Sequence, residues 1–129
     1  FNILCGNTDD HARNHAAFWD GYRLVLTPAY DLCPQSRFGQ QASQAMLIRG
    51  NDRSSQVATC VAAASIFLLS REEAIRIVNQ FVSVIESQWY ATCDEAGVSV
   101  VDRAVLWRRQ FLNPFAFIDA PDGVRVPND

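Results

Sequence analysis

Between Ser70 and Gly97 the chain carries one unbroken helical pattern, and any fold it adopts has to be built around it. Ser70-Arg71-Glu72-Glu73 is a capping box: the Ser70 hydroxyl accepts the third helical N–H while Glu73 reaches back to the Ser70 N–H. Behind it Ile75, Val78, Phe81, Val82, Ile85 and Trp89 recur at helical spacing and share one face. A stripe of this kind is stable only when packed against other elements, so the pattern predicts a mainly helical core, with Gly97 as the stop. Asn51 to Leu69, rich in Ala, Val and Ile after a polar start, predicts a second, well-buried helix. Ser99 and Asp102 repeat a weaker cap ahead of a further helix over Ala104 to Leu112, closed by Asn113-Pro114. Asp119 to Asp129, rich in Pro, Gly and Asp, predicts a fraying tail.

The first third reads differently. Phe1 to Gly6 looks like the last turn of a helix stopped by glycine, followed by a polar loop over Asn7 to Asn14. His15 to Trp19 and Tyr22 to Thr27 are apolar-aromatic runs flanking Asp20-Gly21, a hairpin signal. A two-residue turn there sets Trp19 opposite Tyr22 and Asn14 opposite Thr27. Pro28 to Pro34 is expected as an ordered loop, Pro34 to Gln44 as a mobile one, and Ala45 to Ile48 as a short strand. No internal repeat is visible.

The 129 residues suit one domain, divided into residues 1–50 (loop and hairpin), 51–112 (helical) and 113–129 (tail). With 49% hydrophobic residues the chain can fill a core, and its net charge of -3 argues against a general polyanion-binding surface, so no direct nucleic-acid binding is expected. No apolar run approaches the roughly 20 residues of a membrane span. Cys5, Cys33, Cys60 and Cys93 lack metal-finger spacing and are expected as free thiols in a reducing, cytoplasmic setting. Met46 is the only methionine and the opening helix has lost its start, so the chain reads as a fragment of something longer.

Two segments carry chemistry: Gly6-Asn7-Thr8-Asp9-Asp10-His11-Ala12-Arg13-Asn14 and Pro28-Ala29-Tyr30-Asp31-Leu32. Protein kinases place an Asp that orients the substrate hydroxyl and accepts its proton, then five residues on an Asn that holds Mg²⁺; a later Asp, past a hairpin, holds metal as well. Asp9 and Asn14 have that spacing, whereas His15 stands five residues beyond Asp10. Asn14 at the open end of the hairpin lies near where Asp31 emerges, because adjacent strands are about 4.8 Å apart. Two oxygen ligands there suit Mg²⁺, which takes them at about 2.1 Å.

These two motifs, in this order with a hairpin between them, resemble the HipA C-terminal family, kinases of bacterial toxin–antitoxin modules. The resemblance is dense over Asn2 to Pro34 and looser to about Leu112. It implies a partial kinase-like C-lobe and transfer of the ATP γ-phosphate to a Ser/Thr hydroxyl of a protein substrate. It further implies Asp9 as the catalytic aspartate, His11 as a supporting residue that holds the loop through hydrogen bonds, and Asn14 and Asp31 as Mg²⁺ ligands. A HipB-like antitoxin would be the partner. A kinase also needs a glycine-rich phosphate loop and a strand lysine, and this chain has no lysine at all, its 11 basic residues being arginines. Those parts are expected upstream of Phe1, and the fragment alone is expected to be inactive. Two other readings stand beside this one. The helices over Asn51 to Leu112 would serve as a non-catalytic interaction module, binding an antitoxin or a second copy in a homodimer. A metal-dependent hydrolase would use Asp9, His11, His15 and Asp31, although Ala12 fills the position where a zincin has its Glu.

Overall fold

The computed structural model describes residues 1–37 and 39–128, and in it the helix begun by Ser70 is the axis of the fold. In chain order the elements are α1 (Asn2–Cys5), β1 (Ala17–Trp19), β2 (Leu24–Leu26), α2 (Val57–Ala62), α3 (Arg71–Glu95) and α4 (Val100–Leu106), with 3₁₀ turns at Ala12–Asn14, Ala64–Phe67 and Pro114–Phe117. The architecture is therefore mostly helical with one antiparallel hairpin. Both halves of the capping box form, Ser70 Oγ accepting from Glu73 N at 3.1 Å and Glu73 Oε2 from Ser70 N at 2.8 Å.

The core lies where α1, α2, α3 and residues 112–117 meet. Ile3 and Leu4 pack with Val57 and Val61, with Ala74, Val78, Val82 and Ile85, and with Leu112, Ala116 and Phe117. Burying such a side chain is worth about 1.5–3 kcal/mol. Further along α3, Trp89 meets Trp107 and Phe111 at ring-centroid distances of 5.1 and 4.9 Å. The predicted stripe is nearly the buried one. Two of its members depart from it: Phe81 is 37% exposed and meets Phe1 edge-on, and Ile75 is only half-buried, while Ala74 and Cys93 join the buried face.

Several expected elements come out differently. The helix over Asn51–Leu69 is broken, because the Asp52 carboxylate accepts from Ser54 N at 2.8 Å and Thr59 Oγ1 at 2.9 Å and holds a turn. Residues 53–55 also pair with 42–44, through Gln44 N–H to Arg53 O and Ser55 N–H to Ala42 O, so helix starts only at Val57. It then tightens through a 3₁₀ turn and ends at Leu68 with φ 59°. Ala45–Ile48 forms no strand: Ala45 N–H is committed to Thr8 O and Ile48 N–H to Asp52 O. The last helix runs over Val100–Leu106 rather than Ala104–Leu112, because Ser99 caps it directly through Asp102 N, and Arg108 and Leu112 have φ near +60° and +51°.

The predicted tail is pinned rather than frayed. Asn79 brackets it, donating from Nδ2 to Gly123 O at 2.8 Å and accepting from Arg125 N at 2.7 Å, and Arg125 pairs with Glu86 at 2.6 Å. The loop after Pro34 is likewise tied, by Gln35 N–H to Gly6 O at 3.0 Å, and Arg37 and Gln44 are buried. Phe38, in the loop expected to be mobile, and Asp129, in the tail expected to fray, lie outside the described residues. Among the described residues no helix is long and apolar enough to cross a membrane.

Candidate functional site

The site begins at the end of α1. Gly6 takes the left-handed conformation (φ 74°, ψ 21°) and its N–H caps the helix on Asn2 O and Ile3 O. A Cβ there would stand 2.8 Å from the Gln110 carbonyl oxygen, so glycine is required both by the turn and by the segment passing beneath it. Leu112 N–H donates to Leu4 O at 2.7 Å and completes that anchorage. The loop leaving Gly6 thus departs from a stem fixed in the core.

Asn7 is the first polar residue on that stem and is only 2% exposed. Its Nδ2 donates to Asn2 Oδ1 at 3.2 Å and to the Asp31 carbonyl at 3.3 Å, joining the two chemistry-bearing segments. Beyond it Asp9 is exposed, and its carboxylate makes no hydrogen bond among the described residues. Asp10 is instead engaged with His15, Oδ1 to Nε2 at 2.8 Å, which straps the 3₁₀ turn of Ala12–Asn14. The side chain of His11 makes no hydrogen bond that holds the loop, and its Nδ1 is buried without a partner. Its carbonyl does the local work by accepting Asn14 N–H at 2.9 Å.

The hairpin that follows has a shifted register. Ala17 lies opposite Leu26, Phe18 opposite Val25 and Trp19 opposite Leu24, so the tip is Gly21-Tyr22 and not Asp20-Gly21. Asp20 is the cause: its Oδ1 accepts from both Tyr22 N and Arg23 N at 2.9 Å, which fixes Asp20 as the residue before the turn. Gly21 then supplies the positive φ of 100° at the first tip position. Asn14 consequently does not pair with Thr27, whose N–H goes to Ala16 O at 2.9 Å. The open end still brings Asn14 to Asp31. Asn14 Nδ2 donates to Asp31 Oδ2 at 2.6 Å across 17 residues of sequence, and Tyr30 Oη donates to Arg13 O at 2.6 Å beside it.

Asp31 has φ 57°, unusual for a residue with a side chain. Asn14 is 8% exposed, and its Oδ1 is buried with no hydrogen-bond partner. An orphaned buried acceptor costs about 1–3 kcal/mol, which a bound cation would relieve. An amide oxygen beside a carboxylate is also the donor set a hard divalent ion prefers, so these residues fit Mg²⁺. They do not fit the four-residue hydrolase centre: among the described residues no three His, Cys, Asp or Glu side chains are grouped to hold a metal.

Sequence reasoning singled out Asp9, Asn14 and Asp31 and overlooked Asn7 and Tyr30, whose side chains tie the two segments together. The signal for Asn7 is an asparagine directly after a helix-stop glycine, where a polar side chain turned inward needs a partner. All four cysteines are free, and burial pushes the Cys5 and Cys60 thiols above their ordinary range. In comparison with known protein families, the model described as HipA-like C-terminal domain matches residues 1–89. No curated protein and no solved structure matches the chain.

Proposed function

The chain belongs to the HipA-like C-terminal domain family, and from that premise we propose that it carries the base and the metal ligands of a phosphoryl-transfer site, within a toxin–antitoxin kinase that acts on a protein Ser/Thr hydroxyl. The observation that carries this reading is the 2.6 Å contact of Asn14 with Asp31, next to an Asn14 oxygen that no protein group satisfies. Asp9 orients the substrate hydroxyl and accepts its proton; its exposed, unengaged carboxylate suits that role, whereas Asp10 is already held by His15. Asn14 and Asp31 would hold Mg²⁺, which when bound would neutralise charge on the phosphates of ATP. Asn7 and Tyr30 keep the two segments in register. On this reading the arrangement would correspond to the lower part of a kinase C-lobe. The test is phosphotransfer by the full-length protein containing this chain. Asp9→Asn abolishes transfer with the fold intact by circular dichroism, while Asp10→Asn keeps most of it. Equal loss in the two variants refutes the assignment of Asp9.

A second reading rests on a different observation. An apolar groove of about 520 Å³ runs between α1, α2 and the first half of α3, lined by Phe1, Leu47, Phe67, Leu69, Val78 and Phe81 among others. Phe18, Trp19, Leu24 and Leu26 of the hairpin are also more than 60% exposed. Surfaces of this kind mark interfaces, and they suit an antitoxin or a second copy of the chain. Light scattering over a concentration series is expected to show self-association, and a strictly monomeric chain would argue against the homodimer.

A further inference from the structure

Away from the Asn14–Asp31 contact, a cavity of about 540 Å³ opens between the loop around Arg37 and the segment from Ala104 to Pro114. Its walls include Arg37, Gln40, Trp107, Arg108, Arg109 and Asn113, and no acidic side chain lines it among the described residues. Arg37 is only 6% exposed. One of its nitrogens, Nη2, donates to Gln40 O at 2.6 Å, but Nε and Nη1 are buried with no hydrogen-bond partner. The guanidinium lies 5.9 Å from the Phe115 ring centroid, which gives a cation some support but no counter-charge. None of the ion pairs among the described residues involves Arg37 or Arg109, although the chain as a whole is acidic.

An arginine in this state is expensive. A guanidinium stays protonated at neutral pH, and burial drags its pKa below the ordinary arginine value. Nε and Nη1 lie on opposite edges of the guanidinium, and each open N–H can give an oxyanion one charge-assisted hydrogen bond. We propose that this cavity is an oxyanion site that takes a phosphoryl group, gripped by Arg37 inside and by Arg109 at the rim. The cavity is far larger than a lone phosphate, so it has room for whatever carries the group. The proposal uses none of Asp9, Asn14 or Asp31 and stands whether or not the chain takes part in phosphoryl transfer. Because Arg37 lies on the loop that leaves Asp31, occupancy would brace that loop.

The test titrates inorganic phosphate, and separately O-phosphoserine, into the full chain at constant ionic strength, read by ³¹P line broadening and thermal melting. Saturable binding with a rise in Tm that chloride does not reproduce is expected. Equal affinity for the two probes identifies the free anion as the source, and tighter O-phosphoserine binding identifies a phosphorylated side chain. Arg37→Met should lower affinity about tenfold or more, since charge-assisted hydrogen bonds are the strong ones. It is expected to fold, because an unpaired buried charge is replaced by an apolar chain of similar length. Should it not, Arg109→Gln at the exposed rim still reads the site, with a smaller loss. Arg71→Gln, far along the chain at the start of α3, should leave binding unchanged. Absence of binding by either probe, or a response matched by chloride or unaltered in both Arg37→Met and Arg109→Gln, overturns the proposal.

Discussion

Gly6→Ala tests whether the stem of the candidate site is as constrained as it looks. Gly6 sits at φ 74°, and moving an L-residue into that region costs about 1–2 kcal/mol, of which about 0.4–1 is returned by a stiffer unfolded chain. The new Cβ would also stand 2.8 Å from Gln110 O and 3.3 Å from both Gln110 C and Cα, all backbone atoms. Relieving that contact moves the segment bound to α1 through Leu112 N–H, and overpacking of this kind costs about 1–3 kcal/mol. The sum is about 2–4 kcal/mol, a large share of the about 5–15 kcal/mol that holds a domain together. Gly97 is the internal control: its φ is 65°, but a Cβ there meets nothing within 4 Å. Gly97→Ala should therefore cost only about 1 kcal/mol. Urea denaturation of both variants measures the difference. If Gly6→Ala costs no more than Gly97→Ala, the close approach of residue 110 does not constrain the stem and the argument fails.

Three further outcomes are expected. Asp31→Ala should weaken Mg²⁺-dependent nucleotide binding in the full-length protein more than Asn14→Ala does, because a carboxylate brings charge and an amide only a dipole; ATP titrations at stepped Mg²⁺ decide it. Ser70→Ala removes one side of the capping box and should cost about 1 kcal/mol, seen as a lower urea midpoint at unchanged slope. Backbone N–H donors hold the carboxyls of Asp20 (from Arg23, then Tyr22), Asp52 (from Ser54) and Glu73 (from Ser70) below the ordinary carboxylate range. Their folded pKa values lie under the unfolded ones, so their stabilisation is complete above about pH 4–5 and drains away as pH falls further. Melting temperature against pH should decline on the acid side of that window, with a shallower decline in Asp52→Asn.

Local chemistry alone determined a good part of this protein. The Ser70 box, the apolar period behind it and the glycine stops at positions 6 and 97 act within a few residues, and each appears in the structure where the sequence puts it. The family was legible for the same reason, since its motif is a short run, Asn7 to Asn14, with a partner around Asp31. Tertiary structure decided whatever rests on competition between distant groups. Asp52 could help a helix start or hold a turn, and pairing of residues 53–55 with 42–44 chose the turn. Asp20-Gly21 could form the tip of a hairpin or precede it, and the Asp20 carboxylate, by taking two N–H groups, moved the register. The burial of Arg37 has no local signature, and the contact of Asn14 with Asp31, though expected from the hairpin, is made only when the chain folds. Each depends on a backbone or side-chain partner that folding brings in from elsewhere, and a hydrogen bond between residues distant in sequence has no energy until the core has closed around them.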